Sequence, residues 1–99
     1  MKVDNLIKSL VEFRSILAHV NEAFWIKKID NVLKRKIDLN SCIEILSWYG
    51  GMNSLNDLII CKENGHTLKD EYEDDINKKI EISLDIIYEE TKKIKKNIE

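Results

Sequence analysis

Arg14 and His19 are the residues whose types and spacing come closest to a reactive pair. They lie five residues apart in the segment RSILAH. An arginine can hold a phosphate group through its fork of N–H donors, and a histidine can transfer a proton near neutral pH. Together they would suit the cleavage of RNA. On a regular helix, however, residues at this spacing point about 140° apart, which argues against a shared site on one helix.

The Arg-x4-His spacing is similar to a motif in a superfamily of small helical ribonucleases that act as dimers. In that superfamily the motif lies on a late helix, whereas here it falls on the first. A small helical ribonuclease, or a related toxin–antitoxin component, that uses Arg14 and His19 is therefore the alternative interpretation of this sequence.

The other reactive side chains have no matching partners in the sequence. His66 follows a turn without a nearby nucleophile, and Ser54 lacks the context of a nucleophile elbow. Cys42 and Cys61 lie in apolar surroundings and are predicted to be buried thiols, because free cysteine behaves as a small hydrophobe. No His, Cys or carboxylate set stands at metal-ligand spacing. We therefore expect no metal, no cofactor and no enzymatic activity.

Composition narrows the class of protein further. The 99 residues, 43% apolar and 34% charged, predict one folded domain over residues 1–99. The net charge of −2 gives no basic field for direct nucleic-acid binding. Apolar runs such as DLIIC are far short of the ~20 residues that span a membrane, and charges interrupt the N-terminus where a signal peptide would be apolar. A cytoplasmic protein without a membrane partner is expected.

Apolar periodicity predicts an all-α fold, a compact bundle of four to five helices. The first helix is expected from Val3 to Val20, with Asp4 or Asn5 as its cap. The second begins near Asn21, which is expected to be its N-cap, and ends in the basic run Lys34–Lys36. The stretch from Lys27 to Lys36 carries a net charge of +4, which we interpret as an exposed helix end.

A shorter third helix is expected from about Leu39 to Tyr49, capped by Asn40 or Ser41 and ended by Gly50 and Gly51. Its inward positions are predicted to be Ile43, Ile45, Leu46 and Tyr49. The two tryptophans, Trp25 and Trp48, are predicted to fill the core.

The clearest pattern is a long C-terminal helix of about thirty residues, from Leu68 to Ile98, with Thr67 as its cap. Acidic residues crowd its first turns and lysines its last turns, as the helix dipole favours. Ile82, Ile86 and Tyr88 widen its apolar stripe, which predicts packing against two neighbours.

A glycine-containing double turn is predicted before this helix. One of Gly50 and Gly51 should adopt positive φ at the end of the third helix. Ser54 and Asp57 have the spacing of a capping box, and Gly65 suits a second turn. Residues 58–61 are too few for periodicity to separate a helix from an extended strand.

The segment GGMNSLNDLIICKENGH resembles the signature of a family of small bacterial domains of unknown function. That signature reads approximately Gly-Gly-Met-Gly-Ser, an aromatic residue or leucine, Asn-Asp-Leu, an apolar run and Asn-Gly-His. Asn53 replaces the expected glycine and Leu55 the frequent aromatic residue, and asparagine also tolerates positive φ. The matching turn and capping positions are Gly50, Gly51, Met52, Ser54, Asn56, Asp57, Leu58, Asn64, Gly65 and His66.

Proteins similar to these occur beside polymorphic toxins of the contact-dependent inhibition type. The resemblance therefore implies an immunity protein that neutralises a cognate toxin domain, with a nuclease expected, by covering its active site or substrate surface. An acidic surface would complement the basic cleft of a nuclease. Residues 68–76 contain five acidic residues and one lysine. The acidic residues form the expected partner-binding surface: Asp70, Glu71, Glu73, Asp74 and Asp75. The wide apolar stripe of the last helix also indicates a homodimer.

Overall fold

The structure is a computed structural model that describes residues 3–49 and 73–98. All regular secondary structure in these residues is helical, which confirms the all-α prediction. The four described helices are α1 (Asp4–His19), α2 (Ala23–Leu33), α3 (Leu39–Ser47) and α4 (Glu73–Ile98).

The helices α1 and α2 form an antiparallel hairpin closed by a tight turn. The N-cap of α1 is Val3, which makes no side-chain capping bond, so the prediction of Asp4 or Asn5 as the cap is wrong. Asn21 adopts the left-handed conformation, with φ of 62°, and reverses the chain after α1. The predicted cap role of Asn21 belongs instead to Glu22, whose carboxylate accepts a bond from the Trp25 N–H at 3.1 Å.

Helix α3 begins one residue before the predicted caps. Asp38 is its N-cap and accepts from the Ser41 N–H at 2.9 Å, so Asn40 and Ser41 are not the cap. Asp38 has the extended φ and ψ that an N-cap requires, and its carboxylate replaces a bond that the first turn cannot make internally. The pKa of Asp38 is lowered by the bonds from the Ser41 backbone and hydroxyl.

Helix α4 is the longest element, with 26 described residues, and it packs against both α1 and α3. This confirms the prediction of a long C-terminal helix with two neighbours. Helix α3 runs antiparallel to it: Tyr49 contacts Leu84 and Tyr88, whereas Leu46, earlier in α3, lies near residues 89–96.

One apolar core joins all four helices. Its fully buried side chains come from every helix at three- and four-residue steps, as the periodicity predicts, and they include Leu6, Leu10, Phe13, Leu17, Ile29, Ile45 and Ile87. Trp25 and Trp48 are 6% and 4% exposed, so their predicted place in the core is confirmed. Cys42 is also fully buried, as expected.

Three isoleucines differ from their predicted positions. Ile43 was expected to face inward but is 50% exposed, because the buried side of α3 is centred on Ser41, Cys42 and Ile45. Ile82 and Ile86 were expected to widen the buried stripe of α4, but they are 53% and 45% exposed. Both point away from the side that packs against α1 and α3.

Several predictions lie outside the described residues. They concern the glycine-containing double turn, the Thr67 cap, the start of the last helix before Glu73, the conformation of residues 58–61, and Cys61. Within residues 3–49 and 73–98, no helix has the length and apolar character needed to cross a membrane.

Candidate functional site

The acidic start of α4 is the part of the predicted partner-binding surface that the structure describes. Asp74 and Asp75 lie in the first described turn of α4, and both are exposed. Glu73 is the first residue of the helix, whereas Asp70 and Glu71 lie outside the described residues. Successive residues of a helix point about 100° apart, so Asp74 and Asp75 present carboxylates over a broad arc at this end of α4.

The opposite end of α4 is basic and forms a groove against α3. Its cavity of about 340 Å³ is lined by Leu46 and Glu89 together with Lys92, Lys93, Lys95 and Lys96. In the sequence these lysines are explained by the helix dipole, and the groove that they line together with Leu46 forms where α3 packs on α4. Helix α4 therefore has an acidic first turn and a basic last section.

Arg14 makes an ion pair between α1 and α2. Its Nε and Nη2 donate to the two carboxylate oxygens of Asp30, with Nη2 to Oδ2 at 3.2 Å. The hydrogen bond from Arg14 lowers the pKa of Asp30, and the same bond raises the pKa of Arg14. The planar guanidinium group of an arginine can donate two parallel hydrogen bonds to one carboxylate. This pairing links α1 to α2 across the hairpin.

His19 is exposed at the last residue of α1. No hydrogen bond joins it to Arg14 in the described part of the chain, and Arg14 is occupied by Asp30. The structure thus gives Arg14 a partner sixteen residues away that the local Arg-x4-His spacing does not indicate.

An aromatic cluster covers the end of the bundle where α2 begins and α3 ends. Trp25 lies edge-to-face with both Trp48, at 6.0 Å between ring centroids, and Phe24, at 5.3 Å. The Lys28 ammonium lies 5.2 Å from the centroids of Phe24 and Trp25. Phe24 is 61% exposed, so this cluster is a core element with one ring at the surface.

Cys42 has no features of a reactive thiol. Burial raises its pKa, which keeps the thiol protonated and a poor nucleophile. Among the described residues, no group of three or more His, Cys, Asp or Glu side chains could hold a metal ion.

The turn and capping positions of the GGMNSLND segment lie outside the described residues. These are Gly50, Gly51, Met52, Ser54, Asn56, Asp57, Leu58, Asn64, Gly65 and His66.

In residues 3–49 and 73–98, fold and site together define a small all-helical protein with charged side chains at the surface and at the helix ends. Residues 18–69 match the family model of the domain of unknown function DUF6966, and the chain belongs to this family. The match begins at the end of α1, includes α2 and α3, and extends through the GGMNSLND segment. No curated protein and no solved structure matches the chain.

Proposed function

We propose that this protein is a cytoplasmic immunity protein that binds a cognate bacterial toxin and neutralises it by covering the toxin's active site or substrate surface. The observation that carries the proposal is the exposed acidic start of α4, with Asp74 and Asp75 at the surface. A nuclease toxin, with a basic substrate cleft, is the partner that this charge would complement. The resemblance of the GGMNSLND segment to immunity-associated domains supports the same proposal.

The polar side chains of the described helices support binding over catalysis. Arg14 pairs with Asp30, and Arg35 pairs with Glu44 at 2.8 Å. Asp38 serves as a helix cap. These groups have partners within the described helices, whereas Asp74 and Asp75 are exposed on α4. An immunity protein needs such a surface and needs no reactive centre.

Co-expression with the toxin gene adjacent to its own tests the proposal. The variant with both Asp74→Lys and Asp75→Lys should lose protection of the host cell, because it places positive charge against a basic cleft. The matched control carries Asp4→Lys and Glu12→Lys, which reverse two exposed acids on α1 and should keep protection. Equal protection by both variants would show that the acidic start of α4 does not bind the toxin.

A second measurement separates this proposal from the ribonuclease alternative. The His19→Ala variant should protect as well as the natural protein, since His19 lies at the end of α1 and outside the acidic surface. RNA cleavage by the purified chain that disappears in His19→Ala would favour the ribonuclease and contradict an immunity role.

A further inference from the structure

The outer face of α4, the side away from α1 and α3, carries a pair of half-exposed isoleucines. Ile82 and Ile86 are 53% and 45% exposed and lie one turn apart. The buried side of α4 is formed by residues such as Leu84 and Ile87, which lie on the opposite side of the helix. Adjacent half-exposed isoleucines on a helix that already has two neighbours indicate a surface for a further contact.

Asp75 and Lys93 lie on the same line of the helix as these two isoleucines. At 100° per residue, all four residues fall within about 20° of one line along α4, over a length of about 27 Å. All four are exposed. Lys93 lies at the edge of the groove against α3 and is also 3.6 Å from the Glu90 carboxylate of its own helix. Their order is acid, isoleucine, isoleucine, base, with steps of seven, four and seven residues. When a second copy of this line runs in the opposite direction beside it, the spacings match. Asp75 of each copy then lies opposite Lys93 of the other.

The residues beside this line repeat the same symmetry. Lys78 and Lys79 follow Asp75 by three and four residues, and Glu89 and Glu90 precede Lys93 by four and three residues. When two copies of the face lie antiparallel and are centred at the level of Leu84, the lysine pair of one copy lies opposite the glutamate pair of the other. The six charges sum to zero, which favours neither a strongly basic nor a strongly acidic partner.

We propose that this outer face of α4 binds the same face of a second copy, with the two helices antiparallel and the twofold axis passing between them at the level of Leu84. Ile82 of each copy packs beside Ile86 of the other, and Asp75 of each copy pairs with Lys93 of the other. Such a self-complementary face gives a closed, twofold dimer. The inference does not rest on the proposed function: it shares Asp75 with the proposed toxin surface, but it is tested on the purified chain alone.

The contact is small, because one helix face with two isoleucines per copy covers less than the roughly 1,200 Å² of a stable interface. The dimer should therefore be in equilibrium with the monomer at protein concentrations between about 10 µM and about 1 mM. Because its flanking contacts are ion pairs at the surface, raising the salt concentration to about 1 M should weaken it severalfold. Sedimentation equilibrium of the full chain measures both effects. A chain that stays monomeric up to about 1 mM at low salt would overturn the proposal.

Two isoleucine variants locate the contact. Ile82→Glu should weaken dimerisation at least tenfold, because it places charges at the centre of the pair. Ile43→Glu is the matched control: Ile43 is 50% exposed, against 53% for Ile82, but lies on α3. It should leave the dimer unchanged. Dimerisation that survives Ile82→Glu, or that is lost equally in Ile43→Glu, would show that the outer face of α4 is not the interface.

Charge exchange tests the antiparallel register. Asp75→Lys alone and Lys93→Glu alone should each weaken the dimer about tenfold or more, because each creates two like-charge contacts per dimer. Mixed together, the two variants should form a heterodimer of nearly natural affinity, since every contact is again between opposite charges. The double variant Asp75→Lys with Lys93→Glu should also dimerise like the natural chain. Failure of both restorations would overturn the register, and thermal unfolding followed by circular dichroism confirms that each variant is folded.

Discussion

Tyr49 connects the end of α3 to the middle of α4 through one hydroxyl group. Its Oη donates to the Leu84 carbonyl at 2.8 Å, and its ring lies edge-to-face with Tyr88 at 5.1 Å between centroids. Burial raises the pKa of Tyr49 well above its ordinary value. The phenol therefore remains protonated and able to donate over a wider pH range than an unfolded tyrosine.

Tyr49→Phe should lower the free energy of unfolding by about 1 kcal/mol at pH 7, the typical loss for one hydrogen bond. Tyr88→Phe is the control, because the Tyr88 hydroxyl makes no hydrogen bond within the described residues. It should cost less than about 0.5 kcal/mol. Urea denaturation followed by circular dichroism measures both, and equal losses would contradict a role for the Tyr49 hydroxyl.

The same substitution should change the alkaline pH dependence of stability. An unfolded tyrosine ionises near pH 10, whereas the pKa of Tyr49 in the fold is raised. The stabilisation linked to this shift is complete below pH ~10 and is lost as the pH rises towards the folded pKa. Between about pH 9 and pH 11 the natural protein should therefore lose more stability than Tyr49→Phe. Parallel losses in the two proteins would show that Tyr49 titrates normally.

The pKa of Asp38 is shifted in the opposite direction, so its effect on stability appears at acid pH. Hydrogen bonds from the Ser41 N–H and hydroxyl lower its pKa. The stabilisation is therefore present above the unfolded value near 3.9 and is lost as the pH falls through the folded pKa. Asp38→Ala should lower the urea midpoint at pH 7, and its difference from the natural protein should close at low pH. Asp4→Ala, where α1 has no side-chain cap, should have a smaller effect. A difference that does not depend on pH would contradict the cap assignment.

Among the helices, α3 has one side buried in the core and one side exposed to solvent. Ile43 and Ile45 are the same residue type two positions apart, yet Ile43 is 50% exposed and Ile45 is fully buried. Ile45→Ala should cost about 3 kcal/mol, because it removes buried carbon and leaves a cavity. Ile43→Ala should cost less than about 1 kcal/mol. Urea denaturation distinguishes them, and a large loss for Ile43→Ala would contradict the described orientation of α3.

The turn between α1 and α2 depends on the backbone of one residue. Asn21 has φ of 62°, a region that residues with a Cβ atom enter at a cost. Both Asn21→Gly and Asn21→Ala remove the asparagine side chain, so the difference between them isolates the backbone. The glycine variant should be more stable than the alanine variant by about 1 kcal/mol. Thermal unfolding measures this difference, and equal stability would show that the turn relaxes without strain.

The periodicity of apolar residues was sufficient to predict these helices and most of their core. It did not identify the cap of α3: the sequence favours Asn40 or Ser41, whereas the geometry of the chain entering α3 selects Asp38. Nor could it separate Ile43 and Ile82 from the core, because period identifies an apolar face but not which helices cover it. Burial of those positions depends on tertiary packing.

The candidate site was predictable only where it follows from local charge. The acidic and basic ends of α4 are visible in the sequence as Asp74 and Asp75 and as Lys92 to Lys96. The ion pair between Arg14 and Asp30 was not predictable, because Asp30 lies on another helix and contacts Arg14 only in the folded hairpin. The groove beside Leu46 likewise requires α3 to pack on α4.

At the scale of the whole molecule, the proposed toxin surface and the proposed dimer share Asp75. A carboxylate paired with Lys93 of a second copy cannot at the same time face a toxin, so the two associations should compete. Toxin binding should therefore shift the chain towards monomer, because a ligand that binds one state draws the equilibrium to that state. Light scattering on purified complexes should give one copy per toxin domain.

The Ile82→Glu variant separates the two associations. It disrupts the centre of the dimer but retains Asp74 and Asp75, so it should protect cells as well as the natural chain. At chain concentrations of about 1 mM, its apparent affinity for the toxin should also be higher than that of the natural chain, because no dimer has to dissociate first. A complex with two copies joined through α4, or protection lost in Ile82→Glu but kept in Ile43→Glu, would mean that the toxin recognises the dimer. The two surfaces would then act together instead of competing.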